Sequence, residues 1–553
     1  MTRAVAAVAI LVTLADAPPD LIFHNGKIVT VDAAFSYAEA VAVRDGRFTA
    51  VGTNAAVRAL AGPRTRVVDL QGRTVIPGLA DNHLHGAGGG PGVDLSRTRS
   101  IAQVLAAIGA RIKQSKPGDI IITNRDWHEA QLAEQRLPLR RDLDRVAPDN
   151  PVVVVRGGHE YILNSAALRK WKIHERTAAP EGGRISRYDD GTLNGELVDR
   201  AKDLVPIADL SVPLGLGRDR TVDDRIAEKV KEYQTLHAAG LTSVRHPGIT
   251  PNDFALLAEM KKRGLLTMRV NALLGYASQG EYRQDEGDEW LRVGGIKISI
   301  DGGFEGGWMR EPYEEPFGEG GSYRGLQTMT AAMLTSLVRT FNRGGWRVFT
   351  HAVGDAAIDE VLDAYEAADR EKPIAGRRWG IEHAFIAWPD HIERIKKLGL
   401  AVSAQDHLYL AGPVLVKYWG PARAARTTPV RAFLDAGLPV SLGTDSPVVP
   451  YPPLWGIYHF VTRQTISGGA LGADQRITRE EALRAITMGY AWLTSEENVK
   501  GSIAPGKLAD FVVLSGDIMT CPEKQIEQLQ VVTTVVGGRV VFETPTLPRP
   551  PSG

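Results

Sequence analysis

Eight apolar runs of strand length recur along the middle of the chain: Thr74–Ile76, Leu241–Val244, Met268–Ala272, Ile296–Ile300, Arg347–Thr350, Gly380–Glu382, Leu400–Ser403 and Pro439–Leu442. Helical spacing fills several of the intervals. Ile358, Val361, Leu362 and Tyr365 fall on one face of a helix after the fifth run, and Ile392, Ile395 and Leu398 on another after the sixth. Strands alternating with helices make a parallel sheet, and eight of them can close into a (β/α)8 TIM barrel. The interval from about residue 86 to 240 is too long for a structureless loop. It reads as a subdomain inserted after the first barrel strand, over the barrel mouth.

Both ends of the chain have a different texture. Residues 20–76 carry short strand-like runs broken by the turn pairs Asn25-Gly26 and Asp45-Gly46, and Phe511–Leu514, Val531–Val536 and Val540–Phe542 repeat the pattern around Gly537-Gly538. One composite β-sandwich domain is therefore expected from residues 18–76 together with 500–545, flanking an α/β barrel domain over 77–499. Lys+Arg and Asp+Glu both number 65, so no net charge points to nucleic acid or an anionic membrane. The lone cysteine, Cys521, excludes an intramolecular disulfide and a cysteine-rich zinc module. Arg3 followed by the apolar run Ala4–Leu14 and small residues to Ala17 resembles a secretory signal peptide over residues 1–17. The expectation is a periplasmic or secreted protein; the alternative is a cytoplasmic one with a short apolar tail.

Residues fit for metal chemistry sit just after these runs. His83 and His85 are two apart, so in an extended segment both imidazoles face the same side. Standing alone, such a pair is as often a chance occurrence in a loop; the strand-and-turn segment Thr74–Gly78 before it favours ligation. In Ile296–Asp301, period two sets three isoleucines on one face and Lys297, Ser299 and Asp301 on the other. An inward lysine needs a reason, because an unpaired buried ammonium is costly. A salt bridge to Asp301 or a neighbouring carboxylate is one; carboxylation by carbon dioxide into an anionic metal bridge is the other. By spacing alone the salt bridge is favoured. His351 and His383 each close a strand, where barrel enzymes carry their chemistry, although either alone reads as well as a helix-cap histidine. Asp445, ahead of Ser446-Pro447, ends the last strand and neighbours the first when the barrel closes; its bland reading is a turn residue.

Assembled, these segments resemble the amidohydrolase superfamily, in the branch of N-substituted formamide deformylase. The resemblance rests on Val75–His85, Thr350–Asp355, Ile381–Ala384, Gly443–Pro447, Gly501–Val512 and, within the insertion, Arg156–His159 with Asn164–Leu168. It implies a metal-binding barrel with a composite β-domain. By resemblance His83, His85, His351 and His383 are metal ligands, Lys297 is a carboxylated bridge, and Asp445 is both ligand and catalytic proton shuttle. The expected cofactor is zinc, one or two ions per chain, with other divalent metals able to substitute. His407 is expected to assist catalysis at the oxyanion, and His159, Trp127 and Trp308 to touch substrate; for the tryptophans, packing at the barrel rim is an equal reading. The chain departs from the pattern at His246, at Asp406 before His407, and in the glycine-rich loop Asp301–Trp308. The reaction implied is hydrolysis of an amide-type C–N bond in a non-peptide small molecule. Ester or lactone hydrolysis, and a non-catalytic binding protein, are the rivals. A small-molecule substrate is the expected partner, with no nucleic acid or membrane and room for a homodimer.

Overall fold

The computed structural model of the chain describes residues 17–211, 214, 220–278, 280, 282–314 and 320–544. Its centre is an eight-stranded parallel sheet. We label its strands β1 (Leu79–Asp81), β2 (Leu241–Ile249), β3 (Arg269–Gly275), β4 (Leu291–Ser299), β5 (Val348–Ala352), β6 (Gly380–His383), β7 (Ala401–Gln405) and β8 (Val440–Gly443). Each strand pairs only with its neighbours in sequence order. The expected alternation holds in β4: Ile296, Ile298 and Ile300 are buried, whereas Lys297 is half-buried and Ser299 exposed on the opposite face. The helices Asp355–Glu371 and Pro389–Leu398 bury the apolar stripes read from the sequence, including Ile358, Val361, Leu362, Tyr365, Ile392 and Ile395.

One expected strand belongs elsewhere. Thr74–Pro77 pairs with Lys27–Val29 and with Phe511–Leu514, inside a six-stranded sheet built from both ends of the chain. The barrel's first strand is Leu79–Asp81, one turn later. A single apolar stretch thus serves two sheets, with Pro77-Gly78 between them. A four-stranded sheet of Leu21–His24, Ala40–Arg44, Arg47–Gly52 and Arg66–Asp69 packs on the first. Phe23 of one sheet meets Phe511 of the other edge-on, with ring centroids 5.0 Å apart.

Between β1 and β2 lies a separate five-stranded sheet, with Val152–Arg156 and Glu160–Leu163 as a central hairpin. Val152 and Val154 pack on one side of it and Val153 and Val155 on the other. Burial on both faces explains why this strand is an unbroken valine run. The helix Val222–Ala238, capped by Thr221 with Asp224, sends Ile226, Tyr233 and Leu236 into the barrel core. The inserted layer therefore ends before that helix rather than near residue 240. The signal-peptide-like segment falls outside the described residues except for Ala17. No helix of the described residues is long and apolar enough to cross a membrane.

β1 and β8 meet through irregular bonds rather than a ladder. The Asn82 amide nitrogen donates to the Ser441 carbonyl (2.6 Å), the Asp445 N–H to the His83 carbonyl (2.7 Å) and the His85 N–H to the Ser446 carbonyl (2.8 Å). Asp81 accepts from the Thr444 hydroxyl (2.6 Å) and N–H (3.1 Å). Gly443 is required at this seam: a Cβ there would overlap the side chains of Asp81 and Asn82.

At the opposite end of the barrel, the fully buried Arg269 of β3 donates to both oxygens of Asp510 at 2.6 and 3.0 Å, and stacks on Trp290. This pair joins barrel to β-sandwich. Arg269→Ala strands the Asp510 carboxylate without its partner, and removal of one member of a buried pair costs about 3–5 kcal/mol. Chemical denaturation should show a loss of that size; a loss below about 1 kcal/mol, the scale of an exposed ion pair, would show that the pair does not hold the two units together.

Candidate metal centre

Four histidines and one aspartate converge at the ends of β1, β5, β6 and β8. Asp445 Oδ1 lies 3.5 Å from His83 Nε2 and 3.2 Å from His85 Nε2, and Oδ2 lies 3.2 Å from His407 Nε2. The His83 and His383 rings are 4.9 Å apart, and those of His383 and His351 4.5 Å. His83, His383, His351 and Asp445 are buried, and His85 is exposed.

The ring nitrogens are already sorted. His83 Nδ1 is 2.7 Å from Glu382 Oε2, and His383 Nδ1 is 2.7 Å from Gln405 Oε1. Gln405 donates its own amide nitrogen to Asn82 Oδ1 and Ser403 Oγ, which fixes its oxygen towards His383. Each Nδ1 therefore carries the proton, and each Nε2 lone pair is left for the centre. His351 uses its Nε2 on the Gly302 carbonyl at 3.2 Å, so its free nitrogen is Nδ1. Burial, with the Lys297 charge nearby, lowers His83 to about 3, and burial beside His351 and His83 holds His383 well below its usual value, so both imidazoles are neutral.

This donor set fits a divalent cation. Ligand atoms of His83, His85 and Asp445 all lie within 4.8 Å of one another. Asp445 Oδ1 is buried, makes no hydrogen bond and faces two imidazole nitrogens, an arrangement that a cation completes. Burial pushes Asp445 up, but His83 and the contacts with His407 and His85 outweigh it and keep the carboxylate ionised. Among the described residues, Asp359, Asp390 and His391 form a second compact group, but Arg310 already binds all three.

Lys297 lies close enough to Glu382 and Asp445 for their charges to act on it, yet no carboxylate of the described residues pairs with it. The salt bridge favoured by spacing is absent. Asp301 instead accepts the backbone N–H groups of Val353, Gly354 and Trp308, with His351 Nε2 3.4 Å away. Burial lowers Lys297 to about 8, against the upward pull of Glu382 and Asp445.

A small pocket opens over these ligands, lined by His351, His383, His407 and Asp445 with Phe304, Phe385, Val353 and Val448. The insertion supplies its outer wall through the turn Arg156-Gly157-Gly158-His159. His159 Nδ1 lies 2.6 Å from Asp199 Oδ1, and its ring is 5.8 Å from that of His351. Asp199 explains part of the glycine-rich loop: a Cβ at Gly302 or Gly306 would overlap its carboxylate. His407 sits edge-on to Phe385 and against Asp445, with Nδ1 buried and unbonded.

Neither tryptophan lines this pocket. Trp127 is 1% exposed in the core of the insertion, and its indole N–H donates to the Val155 carbonyl at 2.7 Å. Trp308 is half-buried and packs on the barrel core. Both readings as substrate contacts are thereby corrected to packing. Two of the departures from the family pattern also lie away from the pocket. His246 donates to the Leu84 carbonyl (2.6 Å) and lines a separate cavity beside His85, and Asp406 faces Gly456.

The sequence of residues 66–542 matches the model of the amidohydrolase family. The chain belongs to that family. N-substituted formamide deformylase of Arthrobacter pascens is 32% identical over 95% of this chain and 98% of its own length. Protein LONG AFTER FAR-RED 3 of Arabidopsis thaliana is 30% identical over 95% of this chain and 91% of its own. An uncharacterized metal-dependent hydrolase from Pyrococcus horikoshii OT3 shares the fold, with a TM-score of 0.67 at 22% identity over 91% of this chain and 99% of that one. This amidohydrolase is accordingly a metal-dependent hydrolase acting on C–N bonds other than peptide bonds.

Sequence reasoning missed the residues that hold the ligands. Glu382 is fully buried, bonded to His83 and gripped by Arg245 Nη2 at 2.6 Å. Arg245, itself buried, also donates to the Asn82 carbonyl and Ser403. Adjacent strand residues ordinarily face opposite ways. Here His383 takes φ +72°, outside the extended region, and both it and Glu382 turn inward. Glu382→Gln should weaken metal retention by roughly 10–100-fold, the scale for loss of a ligand's orienting carboxylate. Competition with a chelator measures it, and retention within twofold of the parent would remove Glu382 from that role.

Proposed function

We propose that this amidohydrolase cleaves the C–N bond of a small N-acyl or N-formyl compound, with Asp445 moving the proton. The observation that carries the proposal is Asp445 itself. One carboxylate oxygen faces His83 and His85, while the other meets His407 at the floor of the pocket. It can therefore hold an ion and reach a substrate at once. The family and its formamide deformylase relative support the C–N bond as the target.

Zinc suits the imidazole-rich donor set, with manganese, iron, cobalt or nickel as substitutes. His83, His85 and Asp445 would hold one ion, and His351 and His383 a second, with Lys297 between them as a carbamate. Support for the carbamate is chemical: only a neutral amine attacks carbon dioxide, and a lysine near 8 with no carboxylate partner supplies one far more readily than a lysine at its usual value. Bound metal supplies Lewis acidity and lowers the pKa of water to about 7.

The residues then divide the work. Asp445, kept ionised, takes a proton from the attacking water and later delivers it to the departing amine nitrogen. His407 holds the outer oxygen of Asp445 and so fixes the direction of that transfer. His159, oriented by Asp199, presents its free edge towards the substrate carbonyl. Phe304 and Phe385, stacked 5.8 Å apart, exclude water from the side of the pocket. Export to the periplasm is the localisation that the apolar run Ala4–Leu14 after Arg3 supports.

Asp445→Asn keeps an oxygen ligand but cannot accept the proton. Metal content should stay near that of the parent while turnover of an N-formyl amine falls at least about 100-fold, the lower bound for loss of general acid–base catalysis. Parent-like turnover would end the shuttle assignment. In parallel, Lys297→Ala should reduce bound metal from two equivalents to one or fewer by mass spectrometry. Unchanged stoichiometry would rule out a bridging role for Lys297.

A further inference from the structure

An arginine at the wall of a small pocket ordinarily suggests a receptor for a substrate carboxylate. Arg156 is such a residue by position, because it lines the pocket beside Gly157, Gly158 and His159. Its surroundings argue the reverse. Arg156 Nε lies 2.9 Å from Glu129 Oε2 and 3.1 Å from Glu160 Oε2, and Nη2 donates to Glu129 Oε1 at 3.1 Å and to Glu305 Oε1. Three buried carboxyl groups thus surround one guanidinium. Beside them Arg184 is balanced by Glu196 at 3.0 Å, and Tyr418 donates to Glu129 at 3.0 Å. His128, whose Nδ1 accepts the Ala130 N–H, adds no charge, since burial lowers it to about 3.

Arg156 therefore has no positive charge to spare. Burial pushes Glu160 and Glu305 up from their usual carboxylate values, whereas the Arg156 charge outweighs burial at Glu129 and brings it down. With every carboxyl ionised the cluster is net negative; with two protonated it is neutral. A substrate carboxylate reaching this part of the wall gives up its water and meets a guanidinium already surrounded by carboxyl groups. Above the histidines and Asp445 at its floor, the pocket is lined by the apolar side chains of Phe304, Phe385, Val353 and Val448, with Trp419 packed edge-on behind Phe304.

We propose that the pocket selects substrates whose substituents are uncharged and apolar, and that Glu129 and Glu305 are specificity-determining residues, acting through Arg156 to turn away carboxylate-bearing substrates. This rests on the hydrolase reading above for the bond that is cleaved, but not for the preference itself, which is a property of binding.

The test uses a matched pair, N-(2-phenylethyl)formamide and its para-carboxylate. Calorimetric binding to the metal-loaded Asp445→Asn protein reads the preference without turnover, and hydrolysis by the parent enzyme tests the reaction separately. The neutral ligand should bind at least tenfold more tightly. Adding Glu129→Gln, or Glu305→Gln should the first variant fail to fold as judged by its melting temperature, should narrow that ratio at least threefold by strengthening binding of the carboxylate. A merely structural role would weaken both ligands alike and leave the ratio unchanged, which would overturn the proposal. Equal or tighter binding of the carboxylate by the single variant, or binding of neither ligand, would also overturn it. Clear preference in binding with no hydrolysis of either compound by the parent would sustain the selectivity and reject the amide-hydrolase reading alone.

Discussion

The site depends on how the last barrel strand meets the first. His83 and His85 leave β1, Asp445 leaves β8, and nothing local in the chain brings them together. The seam between those strands is too irregular for a ladder, so side chains make it: Asp81 takes both the hydroxyl and the N–H of Thr444, and Asn82 reaches across to Ser441. Gly443 leaves room for both acidic and amide side chains at the crossing. The backbone bonds just above, Asp445 to His83 and His85 to Ser446, then fix the ligand spacing. Burial lifts Asp81 to about 7 despite the Thr444 bonds, so the seam contains a carboxyl group poised between charged and neutral forms in the layer beneath the metal ligands. Loss of register here would separate the imidazoles from Asp445 before it changed any other part of the barrel.

Aiming the ligands requires further support, which the neighbouring strands provide. Glu382 and Gln405 take the Nδ1 protons of His83 and His383, while Arg245 clamps Glu382. His383 and Asp445, both non-glycine, adopt left-handed backbone conformations at φ +72° and +61°. Such conformations cost on the order of 1–3 kcal/mol each and persist only where surrounding contacts impose them. Here those contacts are the ones that aim the ligands, so rigidity and coordination geometry come from the same bonds.

Much of this arrangement was legible in the sequence, for a physical reason. Barrel strands are buried on both faces and helices on one, so apolar runs and 3.6-residue spacing survive as readable patterns. The ligand residues follow those runs directly. What could not be read depends on contacts between distant segments. Thr74–Pro77 is as apolar as a barrel strand but pairs with Phe511–Leu514, and only that partner distinguishes it from Leu79–Asp81. Trp127 stands in a loop-like stretch, yet its N–H satisfies the Val155 carbonyl inside the insertion. Lys297 alternates correctly, but its lack of a salt bridge follows from Asp301 being spent on three backbone N–H groups. Glu382 was hidden because its inward direction depends on a backbone distortion at the next residue.

The division between barrel and insertion also separates chemistry from recognition. Ligands and proton carrier stand on strands whose directions are set by the closed sheet. The facing wall is a hairpin turn from the insertion, fastened to the barrel by His159 on Asp199, with Asp199 nested against Gly302 and Gly306, and by Arg156 on Glu305. Arg156 and its carboxyl partners are buried, so a change in the wall that keeps the carboxyl groups must also keep Arg156. Loss of Arg156 would leave its carboxyl groups without their cation, whereas a change at one of the carboxyls alters the electrostatics of the pocket without touching a ligand. Recognition in this amidohydrolase is therefore set at the insertion–barrel junction, while the metal centre below remains fixed.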